Sequence, residues 1–263
     1  MLKVSAKDII DGIQKNQFRV VYQPKVRGNK IIGAEALVRW GHPATKTDIQ
    51  VPFLIDAAEA LGLVVQIDRF VFESASDVMR YAEKKGVSIS VNISPKHFER
   101  DDFSDWMIDT VNRYAINPEF LILEMTEQSL VRNIDSVCFR MGELSQIGIR
   151  FSLDDFLTGY SSLGCLQRLP MVTELKIDKR FVAGLGSSIE DEAITSAIIR
   201  LSNTLEKTLV AEGVETAVQR RFLLAHGCDI HQGFLYAKPM EADVFVFALK
   251  NERIPGIGHA AAF

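Results

Sequence analysis

Residues 87–125 read VSISVNISPKHFERDDFSDWMIDTVNRYAINPEFLILEM, and the order of elements within them indicates the fold class. Two short runs rich in β-branched and aliphatic residues, Val87–Ile93 and Phe120–Met125, predict strands that are covered on both faces. Between them, residues 103–114 carry apolar side chains at a spacing of three to four, which predicts a helix. A strand, a helix and a second strand in this order are typical of a parallel sheet.

The same alternation recurs along the chain. Further strands are predicted at 19–26, 31–40, 149–154, 174–177, 208–211 and 229–234, and further helices at 51–61, 66–85, 129–147, 191–205 and 217–226. Eight strands in 263 residues predict a (β/α)8 TIM-like barrel, a fold of the α/β class that takes about 250 residues. We expect one domain over residues 1–250 and a loosely structured tail over 251–263.

The first two strands depart from this alternation. Only residues 27–30 separate them, which is too short for a crossover helix and fits a hairpin. The first strand is therefore predicted to run antiparallel to the second.

Composition excludes several classes of protein. Thirty Lys and Arg against 34 Asp and Glu give a net charge of −4, which argues against binding to a nucleic-acid polymer. No apolar run reaches the roughly 18 residues of a membrane helix, and the N-terminal stretch with Asp8 and Asp11 does not resemble a signal peptide. The three scattered cysteines form no CxxC pair, so we expect a reducing, cytoplasmic location.

Most of the predicted strands end in a carboxylate, amide or ammonium side chain. A single polar residue after a strand usually just begins a loop, but the carboxyl ends of barrel strands all meet at one rim. Carboxylates gathered there repel one another and lose hydration, so they predict a compensating cation. Their oxygens suit Mg²⁺ or Mn²⁺, and two ions about 4 Å apart are typical of phosphate-ester hydrolysis. The residues are Glu35, Asn92, Glu124, Asp154 with Asp155, Lys176, Glu212 and Gln232.

At these residues the sequence resembles the EAL-domain family of bacterial phosphodiesterases specific for cyclic di-GMP. The name motif stands as Glu35-Ala36-Leu37. It is followed in order by SVNISP, LEMTE, LDDF, ELKID, AEGVET and QGFLYAKP. The resemblance covers about residues 5–250 and implies hydrolysis of cyclic di-GMP to linear pGpG, with cyclic di-GMP as partner and a homodimer as the assembly.

The resemblance also implies roles for individual residues around two metal ions. Glu35, Asn92, Glu124 and Asp154 would bind the first ion, and Asp154, Asp155 and Glu212 the second. Lys176 would hydrogen-bond the attacking water and offset negative charge. Glu212 is also cast as a general base in one-metal schemes, and the sequence leaves both roles open.

Further residues are implied as substrate contacts or support. Arg39 would grip a phosphate, and Gln23 and Leu37 would contact a guanine or the adjoining sugar-phosphate. Gln232 and Glu215 would support the metal-side network. Simpler roles stay open: Arg39 as a solvated strand-end charge, and Glu215 as a first-turn glutamate favoured by the helix dipole.

Glu127 is the second glutamate of the family's ExxE motif, which anchors the loop after the Asp-Asp pair. Here that loop spans residues 154–163. We hypothesise that Glu127 holds Thr158, Ser161 or neighbouring amides, and so sets whether Asp155 can bind the second ion.

Two departures from the family pattern stand out. Leu157 replaces the glycine of DDFGTG, at a cost of roughly 1–2 kcal/mol if the position needs a positive φ. The segment between Pro170 and Lys176 is one residue longer than usual, and we expect the extra residue to bulge in the loop before the sixth strand. Neither change removes a metal ligand, so activity is expected.

Two alternatives to an active phosphodiesterase are a degenerate domain that senses cyclic di-GMP and signals to a partner, and a barrel glycosidase working through two carboxylates. Degenerate domains usually lose ligands, whereas this chain keeps them. A glycosidase would explain neither the Asp-Asp doublet nor Lys176.

Overall fold

The computed structural model describes residues 4–45, 47–126, 134–157 and 162–256. Within these ranges, eight strands close into a barrel, and a short ninth strand pairs with the first. The strands are β1 (Phe18–Arg27), β2 (Lys30–Trp40), β3 (Ser88–Asn92), β4 (Leu121–Thr126), β5 (Arg150–Asp154), β6 (Val172–Ile177), β7 (Thr208–Ala211), β8 (Ile230–His231) and β9 (Met240–Glu241).

The first strand of the barrel runs in the predicted direction. Strands β2 to β8 are parallel, whereas β1 lies antiparallel between β2 and β8. The hairpin places Gln23 opposite Glu35. The TIM-like barrel with an antiparallel first strand is therefore confirmed.

Helices surround this sheet, and each helix predicted from apolar spacing is present within the described residues; positions 129–133 of the predicted helix 129–147 lie outside them. They are α1 (Ala6–Gln14), α2 (Val51–Ala60), α3 (Val64–Glu83), α4 (Pro95–Phe98), α5 (Phe103–Arg113), α6 (Ile134–Gln146), α7 (Ser162–Arg168), α8 (Lys179–Ala183), α9 (Ile189–Thr204), α10 (Ala217–His226) and α11 (Ala242–Lys250).

The additional helices α1, α4, α7, α8 and α11 were not predicted. Helix α1 did carry a signal in the sequence, because Ser5 and Asp8 form a reciprocal capping box at its start. Among all the helices in the described residues, none is long and apolar enough to cross a membrane.

The predicted eighth strand, 229–234, is wrong in extent, since β8 contains only Ile230 and His231. The chain turns at Gly233, where an added Cβ would lie 2.2 Å from the carbonyl oxygen of Val214. This close approach of two backbones ends the strand and leaves Gln232 at the rim.

An irregularity was expected in the loop before the sixth strand, but β6 begins at Val172, two residues before the predicted start at 174, and contains the irregularity itself. Ser152 pairs with Glu174 while Phe151 pairs with Val172, so the irregularity falls at Thr173 inside β6 rather than in the preceding loop. The Thr173 hydroxyl donates to the Phe151 carbonyl oxygen at 3.2 Å. A bulge of this kind adds one residue without disturbing the inward direction of Glu174 and Lys176.

Apolar side chains fill the layer between the sheet and the helices, and they include Trp40, Phe72, Phe103 and Ile198, all fully buried. The inside of the barrel differs, because several of its strands alternate outward apolar residues with inward polar ones. On β4, Leu123 and Met125 belong to the apolar core, whereas Glu124 between them is buried against lysines. Because successive side chains of a strand point to opposite faces, the layer under the helices is apolar while the barrel interior holds polar side chains.

Candidate functional site

The centre of the site is the buried ammonium group of Lys176. Its Nζ atom lies 2.6 Å from Glu212 Oε1, 2.8 Å from Glu124 Oε2, 3.3 Å from Asp154 Oδ1 and 3.5 Å from Glu35 Oε2. Lys176 and Glu124 are completely buried. Five side chains predicted from strand ends therefore meet in one place.

The strand register brings these side chains to one level. Asn92 pairs with Glu124 between β3 and β4, and Gln23 pairs with Glu35 between β1 and β2. Glu212 follows β7 directly, and its backbone N–H donates to the Ile177 carbonyl oxygen at 3.1 Å. Parallel strands in register explain why residues far apart in sequence converge at this rim.

A chain of amide side chains fixes Glu35. The Asn92 Nδ2 atom donates to Glu35 Oε1 at 2.7 Å, and Gln232 Nε2 donates to Glu35 Oε2 at 2.7 Å. Gln232 also donates to Gln23 Oε1 at 3.2 Å, and Gln23 in turn donates to the Ala237 carbonyl oxygen at 3.3 Å. Gln232 therefore contacts both Glu35 and Gln23.

Burial raises the pKa values of the carboxylates at this rim, whereas the neighbouring lysines lower them. Burial raises the pKa of Glu212 to about 8, and the nearby Asp154 and Glu35 add to this, although Lys176 acts in the other direction. Burial also raises the pKa of Glu35. For Glu124 burial is outweighed by Lys176 and Lys25, which lower its pKa to about 2. Lys176 keeps a raised pKa despite its burial, because carboxylates surround it.

The segment after β5 has an unusual backbone. Asp155 and Leu157 both have positive φ values, of 54° and 66°. The expectation for Leu157 is therefore confirmed, and this position carries the strain that a glycine would avoid. Burial and a hydrogen bond with Asp178 raise the pKa of Asp155 to about 6.

Asp178, the hydrogen-bond partner of Asp155, caps a helix. Its Oδ1 atom accepts from the Arg180 N–H at 2.6 Å at the start of α8, and its Oδ2 atom pairs with the Arg180 guanidinium. Asp155 is thereby tied to the start of α8 through Asp178.

Sequence reasoning missed a second buried lysine, Lys25 on β1. Its Nζ atom donates to Glu174 Oε1 at 2.6 Å, Ser90 Oγ at 2.7 Å and Glu124 Oε1 at 2.8 Å. A signal existed, because Lys25 lies two residues after Gln23 and Glu174 two residues before Lys176. The strand period therefore points all four the same way.

A cavity of about 680 Å³ opens beside this cluster. Leu37, Asn92, Glu124 and Thr126 line it at the strand ends, and residues of α2, α3 and the segment 93–99 complete it. Such a volume suits a small-molecule ligand.

The remaining predicted residues have mixed outcomes. Arg39 is half-buried, donates to the Val38 carbonyl oxygen at 2.8 Å, and has a pKa lowered by burial. Glu215 is exposed, and its backbone N–H donates to Gln219 Oε1 at 2.8 Å. It precedes the N-cap Thr216 and lies outside the first turn of α10, so the alternative role of a first-turn glutamate is wrong. Glu127, together with Thr158 and Ser161, lies outside the described residues.

The donor set fits a hard divalent cation. Among the described residues, no group of His, Cys, Asp or Glu side chains is close enough as placed to hold an ion. The Lys176 ammonium nevertheless marks the point on which four carboxylates converge. Oxygen donors with surplus negative charge are what Mg²⁺ and Mn²⁺ prefer.

Comparisons with known proteins agree with this geometry. The family model described as "EAL domain" matches residues 6–239. The bifunctional diguanylate cyclase/cyclic di-GMP phosphodiesterase MucR of Pseudomonas aeruginosa is 41% identical over 241 residues, which are 90% of this chain and 35% of MucR. The cyclic di-GMP phosphodiesterase NbdA of the same species is 34% identical over 89% of this chain and 30% of its own length.

A solved structure of the MucR phosphodiesterase in complex with c-di-GMP superposes with a TM-score of 0.85 at 40% identity, and the match covers 91% of this chain and 98% of that one. The chain spans only about a third of the length of the curated relatives MucR and NbdA. The family match nevertheless extends across nearly the whole barrel, and the chain belongs to the EAL-domain family.

Proposed function

We propose that this chain hydrolyses cyclic di-GMP to linear 5′-pGpG with the help of divalent cations. The observation that carries the proposal is the convergence of Glu35, Glu124, Asp154 and Glu212 on Lys176 beside an open cavity. The relatives named as cyclic di-GMP phosphodiesterases, and the neighbour solved with c-di-GMP, support this substrate.

The cations would be held by the residues of the rim. Glu35, Asn92, Glu124 and Asp154 would hold one ion, and Asp154 with Asp155 and Glu212 would hold a second. When bound, Mg²⁺ or Mn²⁺ supplies Lewis acidity, which lowers the pKa of water and stabilises charge on a phosphate. The raised pKa values of Glu35 and Glu212 support this assignment, because a cation would relieve the burial and repulsion that raise them.

Lys176 would act on the reacting water and phosphate. Its pKa is raised by four carboxylates, so it stays an ammonium group and can donate hydrogen bonds. It would orient the attacking water and offset negative charge as the water oxygen bonds to phosphorus. The bond from phosphorus to O3′ then breaks, O3′ takes up a proton, and the 5′-phosphate stays on the product. In a one-metal scheme Glu212, 2.6 Å from Lys176 Nζ, would instead accept the proton of the water.

The substrate would be held by the residues at the ends of β1 and β2. Leu37 lines the cavity, and Gln23 lies opposite Glu35 on the neighbouring strand. Both would contact a guanine or the adjoining sugar-phosphate. Arg39 would grip a phosphate with its planar guanidinium group. The hydrogen bonds from Gln232 to Gln23 and Glu35 would then couple the substrate side to the metal side.

The test is incubation of the purified protein with cyclic di-GMP and MgCl₂, followed by chromatography. We expect pGpG as product, its loss in excess chelator, and its loss in E35Q, which keeps the shape of the side chain but removes its charge. Binding of cyclic di-GMP without pGpG at micromolar enzyme would instead favour the sensor alternative. Equal turnover in excess chelator would contradict the proposed metal dependence.

A further inference from the structure

Lys25 lies inside the barrel, one layer below the cluster around Lys176. It is 2% exposed, and its ammonium contacts Ser90, Glu124 and Glu174 at 2.6–2.8 Å. An ammonium group has three N–H donors, and these three acceptors use all of them. The position of its Nζ atom is therefore fixed from three strands, β3, β4 and β6.

This contact divides the two oxygens of Glu124 between two levels of the barrel. Oε1 faces down and accepts from Lys25 at 2.8 Å, whereas Oε2 faces the cluster and lies 2.8 Å from Lys176. Glu124 is completely buried, so water does not compete for Oε1. Only one of its two oxygens is directed toward the proposed metal ions.

The number of oxygens that a carboxylate offers distinguishes between divalent cations. Ca²⁺ takes about six to eight oxygen ligands in flexible geometry and readily accepts both oxygens of one carboxylate. Mg²⁺ demands about six ligands in a near-ideal octahedron, and usually takes one oxygen from each carboxylate. A residue that occupies the second oxygen therefore acts against Ca²⁺ more than against Mg²⁺ or Mn²⁺.

We propose that Lys25 is a positioning residue that makes Glu124 a one-oxygen ligand, and that it thereby favours Mg²⁺ or Mn²⁺ over Ca²⁺ at this site. This inference rests on the metal-dependent function proposed above and adds a determinant of ion selectivity to it.

The ion pair of Lys25 with Glu174 allows the effect of releasing Glu124 Oε1 to be tested without a change of net charge. Glu174 is 6% exposed and neutralises Lys25 within the barrel. The double variant K25M/E174Q removes one positive and one negative charge, so the net charge beside the metal site is unchanged while Glu124 Oε1 is released. The single variant E174Q keeps the contact between Lys25 and Glu124, and it is the matched control.

The experiment measures dissociation constants for MnCl₂ and CaCl₂ by isothermal titration calorimetry, without substrate. The readout is the ratio of the Ca²⁺ constant to the Mn²⁺ constant, in which a general change of charge largely cancels because both ions are divalent. We expect this ratio to fall by about tenfold in K25M/E174Q, the usual scale for partners that orient a metal ligand. E174Q should keep the ratio of the unaltered protein.

Three outcomes would count against the inference, and they are distinguishable. An unchanged ratio in K25M/E174Q, with binding by the unaltered protein, would overturn the role of Lys25 alone. An equal fall in E174Q would also overturn it, by assigning the effect to loss of charge. Absence of binding of either ion by the unaltered protein would overturn the proposed function and this inference with it. Circular dichroism verifies folding, and K25M/E174M is the replacement where the first double variant is unfolded.

Discussion

The inside of the barrel and the layer between barrel and helices are filled in opposite ways. The outer layer is apolar and contains Trp40, Phe72, Phe103 and Ile198, each fully buried. Burying side chains of this kind stabilises the fold by about 1.5–3 kcal/mol each. The inside of the barrel, at the carboxyl ends of the strands, buries Lys25, Lys176 and several carboxylates instead.

This difference shows which region serves stability and which serves chemistry. Among the described residues, five carboxylates lie within 3.5 Å of the two buried ammonium groups. Buried charges lose hydration, and carboxylates in surplus also repel one another. A barrel core needs only bulky apolar side chains to be stable, so the charged interior points to a function that uses it. The five are Glu35, Glu124, Asp154, Glu174 and Glu212.

The largest expected effect comes from the interior. Asp154→Asn should lower the rate of pGpG formation by roughly three to four orders of magnitude, since bound metal supplies several kcal/mol of transition-state stabilisation. The melting temperature in chelator should stay the same or rise, because one of the crowded negative charges is removed. Chromatography and differential scanning calorimetry measure the two quantities. Substantial activity in Asp154→Asn would remove it from the metal site.

A substitution in the apolar outer layer should lower stability and leave turnover unchanged. Ile198→Ala on α9 should lower the free energy of unfolding by about 2–5 kcal/mol, through lost burial and a cavity. The turnover number of the folded protein should not change, because Ile198 lies outside the barrel interior. Urea denaturation measures the loss. Ile189→Ala on the same helix is the control, since Ile189 is 86% exposed and its change should cost less than about 0.5 kcal/mol.

Binding of divalent cations in the barrel interior should also stabilise the folded protein. MgCl₂ at about a hundred times its dissociation constant should raise the free energy of unfolding by about 2.7 kcal/mol, because it binds the folded protein alone. Thermal denaturation with MgCl₂ and with chelator measures the shift. Asp154→Asn should show little of it, whereas an equal shift in that variant would mean that Mg²⁺ binds elsewhere.

The smallest expected effect concerns backbone strain at the edge of the interior. Leu157 has a φ of 66° and packs against the core, so replacing it removes both strain and contacts. Leu157→Gly and Leu157→Ala lose the same packing, but only glycine relieves the strain. We expect the glycine variant to be more stable than the alanine variant by about 1 kcal/mol, measured by urea denaturation. An alanine variant of equal stability would show that the strain is absent in solution.

The order of elements and the residues at the rim could be predicted from the sequence. Short runs rich in β-branched and aliphatic residues alternate with segments of apolar spacing three to four, and this alternation predicted the barrel. The four-residue gap at 27–30 predicted the antiparallel first strand. Strand ends predicted Glu35, Glu124, Asp154, Lys176 and Glu212, because parallel strands all present their carboxyl ends at one rim. These are local properties of the chain.

The depth at which each polar side chain lies, and the partner that it has, depend on the closed barrel. Lys25 and Glu174 share the strand faces of Gln23 and Lys176, but the strand period does not show that a charged residue on such a face is fully buried. The end of β8 at Gly233 and the bulge at Thr173 likewise depend on contacts with Val214 and Phe151, which are distant in sequence. Burial and pairing arise from the closure of the barrel, so they become visible only when all eight strands are in place.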